Sequence, residues 1–297
     1  MPAWPSLRLS PPRSGCARMR RCAHERAGQL ADRAVRALIE EAMLTPKPAL
    51  VDQRGCGAHH DLDLERLLRS AEALRGSFRC MALHAAAGEP NVELRERLGA
   101  IGREGEQRML AATGGSNAHR GAIWVLGLLV AALALARART SLSEIAAVAA
   151  ALARLPDRHV PGAPSNGSRA CRRFGVGGAR GEAAAGFPHV LRLGLPVLQR
   201  SRRCGSLETW ARLDALMAIM SSLDDTCLLH RGGWPAVRAA QRGASRVLAL
   251  GGTATPAGRQ ALLALDAELM HRHASPGGSA DLLAACVFLD DDESQPV

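Results

Sequence analysis

Apolar residues in this chain recur at the spacing of a helix face, and no apolar–polar alternation runs beyond four residues. Leu30, Ala34, Leu38 and Ala42 fall on one side of a helix, whereas a half-buried strand would need a period of two. Aromatic residues make up only 3% of the chain and Tyr is missing, so the core must be built from Leu, Ala and Val. Leu and Ala are also strong helix formers. The pattern predicts helices at 21–44, 63–86, 92–112, 119–137, 141–153, 180–201, 207–223, 234–250, 255–271 and 278–289. Pro46 and Pro48 stop the first, because proline lacks an N–H and restricts the residue before it. Asp61 or Asp63 can cap the second helix, Ser141 with Glu144 forms a capping box, and Pro235 and Pro256 suit first-turn positions. The expected fold is all-α: a single domain of about ten helices, with glycine-rich junctions forming the active-site cleft.

The 297 residues suffice for one large core. Residues 1–20, rich in Pro and Arg without helical spacing, read as a disordered tail; 21–291 form the domain, and 292–297 a short C-terminal tail. The Gly-, Pro-, Ser- and Arg-rich stretch 156–178 reads as a mobile active-site segment. No apolar signal region opens the chain, and the longest apolar run, 123–136, is too short to span a bilayer. Eight scattered cysteines without a Cys-x-x-Cys pair suggest free thiols in a reducing cytoplasm. The net charge of +10 suits a polyanionic partner. With so few aromatic stacking platforms, nucleic acid fits less well than a phosphorylated small molecule.

Polar, glycine-bearing motifs gather at the helix junctions. The stretch from Thr45 to Asp63 places Lys47, the sole lysine, between two prolines, where a compact cation can meet phosphate. Its acids Asp52, Asp61 and Asp63 are hard oxygen groups suited to Mg²⁺ with substrate phosphates. Gly114-Gly-Ser-Asn117-Ala-His119-Arg120-Gly121 precedes the most apolar helix, so its amides and Arg120 can hold an anion, while His119 can be a base or a capping partner. Gly175-Val-Gly-Gly178-Ala-Arg180-Gly181-Glu182 allows close backbone approach and supplies both charge signs; no strand precedes it, which excludes a dinucleotide-binding fold.

In the fourth motif, Asp224 and Asp225 end an apolar helix, where the partly negative C-terminus makes a bound cation the natural company. His230, Arg231 and two glycines follow. The fifth, Ser275-Pro-Gly277-Gly278-Ser279-Ala-Asp281, is another glycine-rich helix entry with an acid in the first turn. Together these features suit a metal–polyphosphate ligand in an α-helical cleft. Residue chemistry alone does not name the reaction.

The same stretches resemble the triphosphoribosyl-dephospho-coenzyme A synthase family, whose members serve citrate lyase or malonate decarboxylase. The resemblance rests on TPKPALVDQRGCGAHHDLD, GGSNAHRGAIWVLGLL, VGGARGEAAAGFPHVLRLGLP, LDDTCLLHRGG and ASPGGSADLLAACVFLDD, in order from Thr45 to Asp291. ARGEAAAGFPHV and DDTCLLHRGG are most similar to the malonate decarboxylase branch. The resemblance implies an all-α transferase that moves the triphosphoribosyl group of ATP to the ribose 2′-hydroxyl of 3′-dephospho-coenzyme A, releasing adenine. The product would go, through a separate transferase, to the acyl-carrier subunit of malonate decarboxylase. Asp224, Asp225 and Asp61 are then candidates for Mg²⁺, and Glu182, Asp52 and His119 for catalysis. Lys47, Asn117, Arg120, Arg180, Arg231, Gly277, Gly278 and Ser279 are candidates for ATP and its phosphates. The chain departs from the family pattern at Ala49, where Gly is usual in the citrate branch, at Ala118, where Thr is common, and at His273, where Asn is common. Competing classes are an all-α Mg²⁺-dependent ADP-ribosyl hydrolase and a basic RNA-binding module.

Overall fold

The structure, a computed structural model, describes residues 14–136, 140–160, 162 and 164–293, with side chains described between 21 and 290. Among these are thirteen α-helices and one π-helical segment, with no strand. The helices are α1 (Ser14–Met43), α2 (Leu64–Ala73), α3 (Arg75–Ala86), α4 (Val92–Thr113), α5 (Arg120–Leu135), α6 (Leu142–Arg154) and α7 (Asn166–Phe174). There follow α8 (Gly178–Ala184), the π-helix His189–Gly194, α9 (Leu195–Arg203), α10 (Glu208–Met220), α11 (Thr226–Ala249), α12 (Pro256–His271) and α13 (Gly277–Glu293).

The interior follows from two helices that are apolar all round. Eleven residues of α5 are buried, and α13 is buried without a break from Leu282 to Leu289. A helix with no polar face has to be enclosed. The two pack on each other; α1, α3, α4 and α6 surround α5, while α1, α10 and α11 cover α13. Missing Cβ atoms bring the layers close: a side chain on Gly127 would meet Met81 Sδ at 2.8 Å. Local capping chemistry sets the ends. Asp63, Asn91, Ser165 and Thr255 each accept a first-turn amide, and Ser141 with Glu144 completes both halves of its capping box. Gly114 and Gly175 end α4 and α7 in the left-handed conformation.

Several expected boundaries are corrected. The expected helix 63–86 is two, α2 and α3, joined at Leu74. The segment 156–178 contains α7, capped by Ser165. The expected helix 180–201 is α8, a turn at Gly186-Phe187-Pro188, the π-helix and α9. Gly186 (φ 81°) and Phe187 (φ 56°) both turn left-handed there, which no α-helix can continue through. The expected helix 234–250 is the second half of α11, beyond a kink at Gly233 (φ 62°, ψ −163°) that accommodates Pro235. The expected tails, 1–20 and 292–297, fall largely outside the described residues, although α1 already begins at Ser14.

Candidate functional site

Asp225 joins two helix starts. It is 1% exposed; Oδ1 accepts from the amides of Cys227 (2.8 Å), Leu228 (3.4 Å) and Gly278 (3.3 Å), and Oδ2 from the amide (2.8 Å) and the hydroxyl (2.9 Å) of Ser279. The first two belong to α11 and the others to α13, so one carboxylate neutralises both positive helix ends. This corrects the reading of Asp224 and Asp225 as a helix C-terminus: α10 ends at Met220, and Asp225 is the N-cap of α11. The amides of Gly278 and Ser279, expected on phosphate, are engaged by this internal anion. Burial pushes the Asp225 carboxyl up, opposed by the bonds from Ser279 and Cys227.

The start of α5 meets the same junction. A Cβ on Gly121 would overlap the Asp281 carboxylate, so glycine is what lets Asp281 seat there. Asp281 is half-buried, and desolvation, then Glu41 and Asp225 nearby, push its carboxyl well above the usual range. Lys47 is not free for phosphate. Its ammonium is 1% exposed and reaches Glu41 Oε1 and the Glu41 carbonyl, both at 2.6 Å. Close by, His119 is 3% exposed, with Nδ1 2.7 Å from Ser70 Oγ and Nε2 without a partner. Burial, with Lys47 adding to it, pushes this imidazole down to about 3.

A second cluster ties the 57–61 loop to α11 and α13. Arg231 donates to the Ala58 carbonyl (3.0 Å) and to His59 Nδ1 (3.0 Å). An arginine only donates, so His59 Nδ1 accepts and its proton sits on Nε2, which donates to Ser275 Oγ at 3.0 Å. His59 in that tautomer cannot take a proton from Ser275. Burial, reinforced by Arg231, pushes His59 down to about 4.

The third motif is fastened to the fourth through His189. Glu182 Oε1 accepts the His189 amide and Oε2 lies on its Nδ1, both at 2.8 Å, so both oxygens of the expected base are occupied. The Glu182 bond, then Ser222 and Asp224, raise His189 above the usual imidazole value. Arg180 is exposed and lies over the Trp124 ring, whose Nε1 donates to the Ala179 carbonyl (3.2 Å). Arg120 pairs with Glu106, and Asn117 Oδ1 accepts the Arg120 amide at 3.2 Å, capping α5. Asp52 is 2% exposed and fixes its own turn, accepting Lys47 N (2.8 Å), Arg54 N (2.7 Å) and the Arg54 guanidinium.

Three non-glycine residues with left-handed backbone, Ala49 (φ 54°), Phe187 (φ 56°) and His273 (φ 50°), all lie in these junctions. At Ala49 the backbone has the conformation that glycine adopts freely, and at His273 one that Asn tolerates well, so both positions hold a backbone that Gly or Asn would adopt at lower cost.

Of the expected site residues, the structure therefore brings Asp225 and Gly277–Ser279 to one junction, with His119 and Arg231 nearby, and sets Glu182 on His189, which Asp224 also influences. Asp224 and Asp61 remain exposed. Sequence reasoning passed over Glu41, His189 and Trp124, and left Asp281 as a cap; a partner on another helix leaves no local pattern. No group of three His, Cys, Asp or Glu among the described residues is arranged to hold a metal ion. The donor set thus lacks a protein cage, though single exposed carboxylates fit a Mg²⁺ ion carried mainly by substrate phosphates. A cavity of about 240 Å³ between α1 and α10, lined by Ile39, Met43 and Arg212, holds none of the candidate residues. No helix among the described residues is long and apolar enough to cross a membrane.

Comparison with known proteins agrees with these motifs. The profile of the ATP:dephospho-CoA triphosphoribosyl transferase family matches residues 27–295. The chain is 54% identical over 268 residues to the 2-(5''-triphosphoribosyl)-3'-dephosphocoenzyme-A synthase of Klebsiella pneumoniae, covering 90% of this chain and 96% of the relative. Relatives described as "Probable 2-(5''-triphosphoribosyl)-3'-dephosphocoenzyme-A synthase" come from Azotobacter vinelandii (56% over 266 residues; 89% and 91% covered) and Pseudomonas fluorescens (57% over 269 residues; 90% and 92% covered). No solved structure matches the chain. With the match running from α1 through α13, the all-α chain belongs to the ATP:dephospho-CoA triphosphoribosyl transferase family.

Proposed function

We propose that this chain transfers the triphosphoribosyl group of ATP to the ribose 2′-hydroxyl of 3′-dephospho-coenzyme A, releasing adenine, and that the product serves the acyl-carrier subunit of a malonate decarboxylase. The observation that carries the reading is the meeting of α5, α11 and α13 at one junction through Asp225 and Asp281, with Arg231 of α11 close by. The malonate branch is supported by the sequences from Ala179 to Val190 and from Asp224 to Gly233.

In this reaction the bond from the anomeric carbon to adenine breaks as the 2′-oxygen bonds to that carbon, and the hydroxyl proton leaves. Positive charge grows on the sugar and negative charge on the base, so carboxylates beside the sugar and proton donors beside the base lower the barrier. Asp52, Asp225 and Glu182 have their oxygens occupied. The exposed Asp224 is therefore the proposed acceptor of the hydroxyl proton, positioned beside the Glu182–His189 pair. His119 Nε2 is a proposed contact to substrate, and Arg120, Arg180 and Arg231 the proposed cations for phosphate. Mg²⁺, held by the triphosphate with Asp61, would supply charge neutralisation.

Purified protein incubated with ATP, Mg²⁺ and dephospho-coenzyme A should yield an adduct with the mass of triphosphoribosyl-dephospho-coenzyme A. Adenine release that proceeds equally well without the acceptor would instead mark a hydrolase. Transfer of the adduct, through the separate transferase, to a citrate lyase carrier in preference to a malonate decarboxylase carrier would overturn the branch assignment.

A further inference from the structure

Beyond the junction, two arginines stack on Trp124 and a third joins them through a single shared carboxylate. The guanidinium of Arg95 lies over the indole at 4.9 Å from the ring centre and that of Arg180 at 5.5 Å. Arg95 Nη1 and Arg103 Nη1 both reach the same oxygen, Asp157 Oδ2, at 3.3 and 3.0 Å. A Cβ on Gly99 would overlap that carboxylate and come within 2.9 Å of Arg95 Nη1, so a notch in α4 lets the groups meet.

The cluster exceeds what its structural job requires. Pinning the chain after α6 onto α4 needs one Arg–Asp pair. Here Arg95 is 4% exposed and its Nε has no partner, Arg103 keeps about a third of its side chain exposed, and Arg180 stands exposed without an acid. Three positive charges against one negative leave a local surplus of two. Burial, then Arg180 and Arg103 as like charges set against the favourable Asp157, lowers Arg95 below the ordinary guanidinium value. An arginine stacked on an indole uses its face and keeps its edge N–H groups for a planar or tetrahedral anion. Such edges bind phosphate through paired donors. At the junction, by contrast, the amides of Gly278 and Ser279 are already engaged by Asp225.

We infer that Arg95 and Arg180 on Trp124, with Arg103 beside Arg95, form the seat for the polyphosphate chain of a nucleotide substrate, with Asp157 as an internal counter-anion that offsets part of their charge and competes with the ligand for them. The inference rests on the proposed transferase reading, which supplies two such chains: the triphosphate of ATP and the diphosphate of dephospho-coenzyme A.

Equilibrium binding, without turnover, tests the seat. Titrations use MgATP, dephospho-coenzyme A and, as a control lacking any phosphate, pantetheine. Arg180→Gln and Arg103→Gln should each weaken at least one nucleotide by about tenfold or more and leave pantetheine unchanged. A loss confined to dephospho-coenzyme A assigns the seat to the acceptor, and a loss confined to MgATP assigns it to the donor. Asp157→Asn removes the internal anion and should tighten the same nucleotide and steepen its salt dependence, a gain that misfolding cannot produce. Unchanged nucleotide binding in both arginine variants, or weaker binding in Asp157→Asn with its helical content intact, overturns the seat. A protein that shows the binding changes yet makes no adduct keeps the seat and loses the proposed reaction.

Discussion

Replacing Asp225 with Asn changes one oxygen to an amide while preserving size. In the native protein five donors converge on this carboxylate, three on Oδ1 and two on Oδ2. Asn keeps a single acceptor, so its NH₂ must face either the two Ser279 donors or the three on Oδ1. Hydrogen bonds to a charged group contribute about 1.5–3 kcal/mol each. Losing two, less the relief of no longer burying a charge, gives a cost of about 2–4 kcal/mol. At roughly 2–4 °C per kcal/mol for a chain of this order of size, Tm should fall by about 4–16 °C. Ser279→Ala should cost about 1 kcal/mol alone and much less in the Asp225→Asn background, because the two share one contact. Thermal unfolding followed by circular dichroism measures both, with helical content at 25 °C retained. A Tm within about 1 °C of the parent, together with lost nucleotide binding, would refute the reasoning and make Asp225 a ligand contact instead of a clasp.

Lys47→Met leaves Glu41 buried without its counter-charge and should cost about 3–5 kcal/mol, whereas Glu41→Leu with Lys47→Met should recover most of it; chemical denaturation of the single and double variants checks this. His273→Asn should stabilise by roughly 0.5–1 kcal/mol, since Asn accepts a φ of 50° more readily than His, and an unchanged or lower denaturation midpoint would contradict it. His59 and His119 are neutral in the folded chain down to about 4 and about 3, below the ordinary 6.5. The unfolded chain therefore takes up protons first, so the stability they contribute is complete above pH 6.5 and is lost as pH falls through 6.5 toward 4. For the buried His119 the loss is about 1.4 kcal/mol per pH unit. His119→Gln should flatten the fall in Tm between pH 6.5 and 5, and an identical slope would remove His119 as its source.

The helices were legible wherever local chemistry decides. The Ser141–Glu144 box, the cap at Asp63 and the prolines at 46, 48 and 256 act within a turn of themselves, and the helices beside them end close to where the sequence places them. Asp225 misled because a carboxylate after an apolar run looks the same whether it ends one helix or begins the next. The donors that decide, Gly278 and Ser279, lie some fifty residues away. Lys47 stood out as the only lysine, yet its partner Glu41 sits in the previous helix among several acids, so isolation between prolines looked like exposure when it was burial. The π-helix after Phe187 has no sequence period of its own, and the 180–201 stretch accordingly looked continuous. The glycine-rich entries were legible as helix starts; that an internal carboxylate fills one of them was not.

The most direct test of the account counts products. Adenine and triphosphoribosyl-dephospho-coenzyme A are quantified from the same reaction, by chromatography and mass spectrometry, with and without dephospho-coenzyme A. The account predicts equal molar amounts of the two with both substrates present, and no adenine without the acceptor. Adenine formed in excess of adduct, or formed at the same rate without dephospho-coenzyme A, would contradict the transferase reading of this junction.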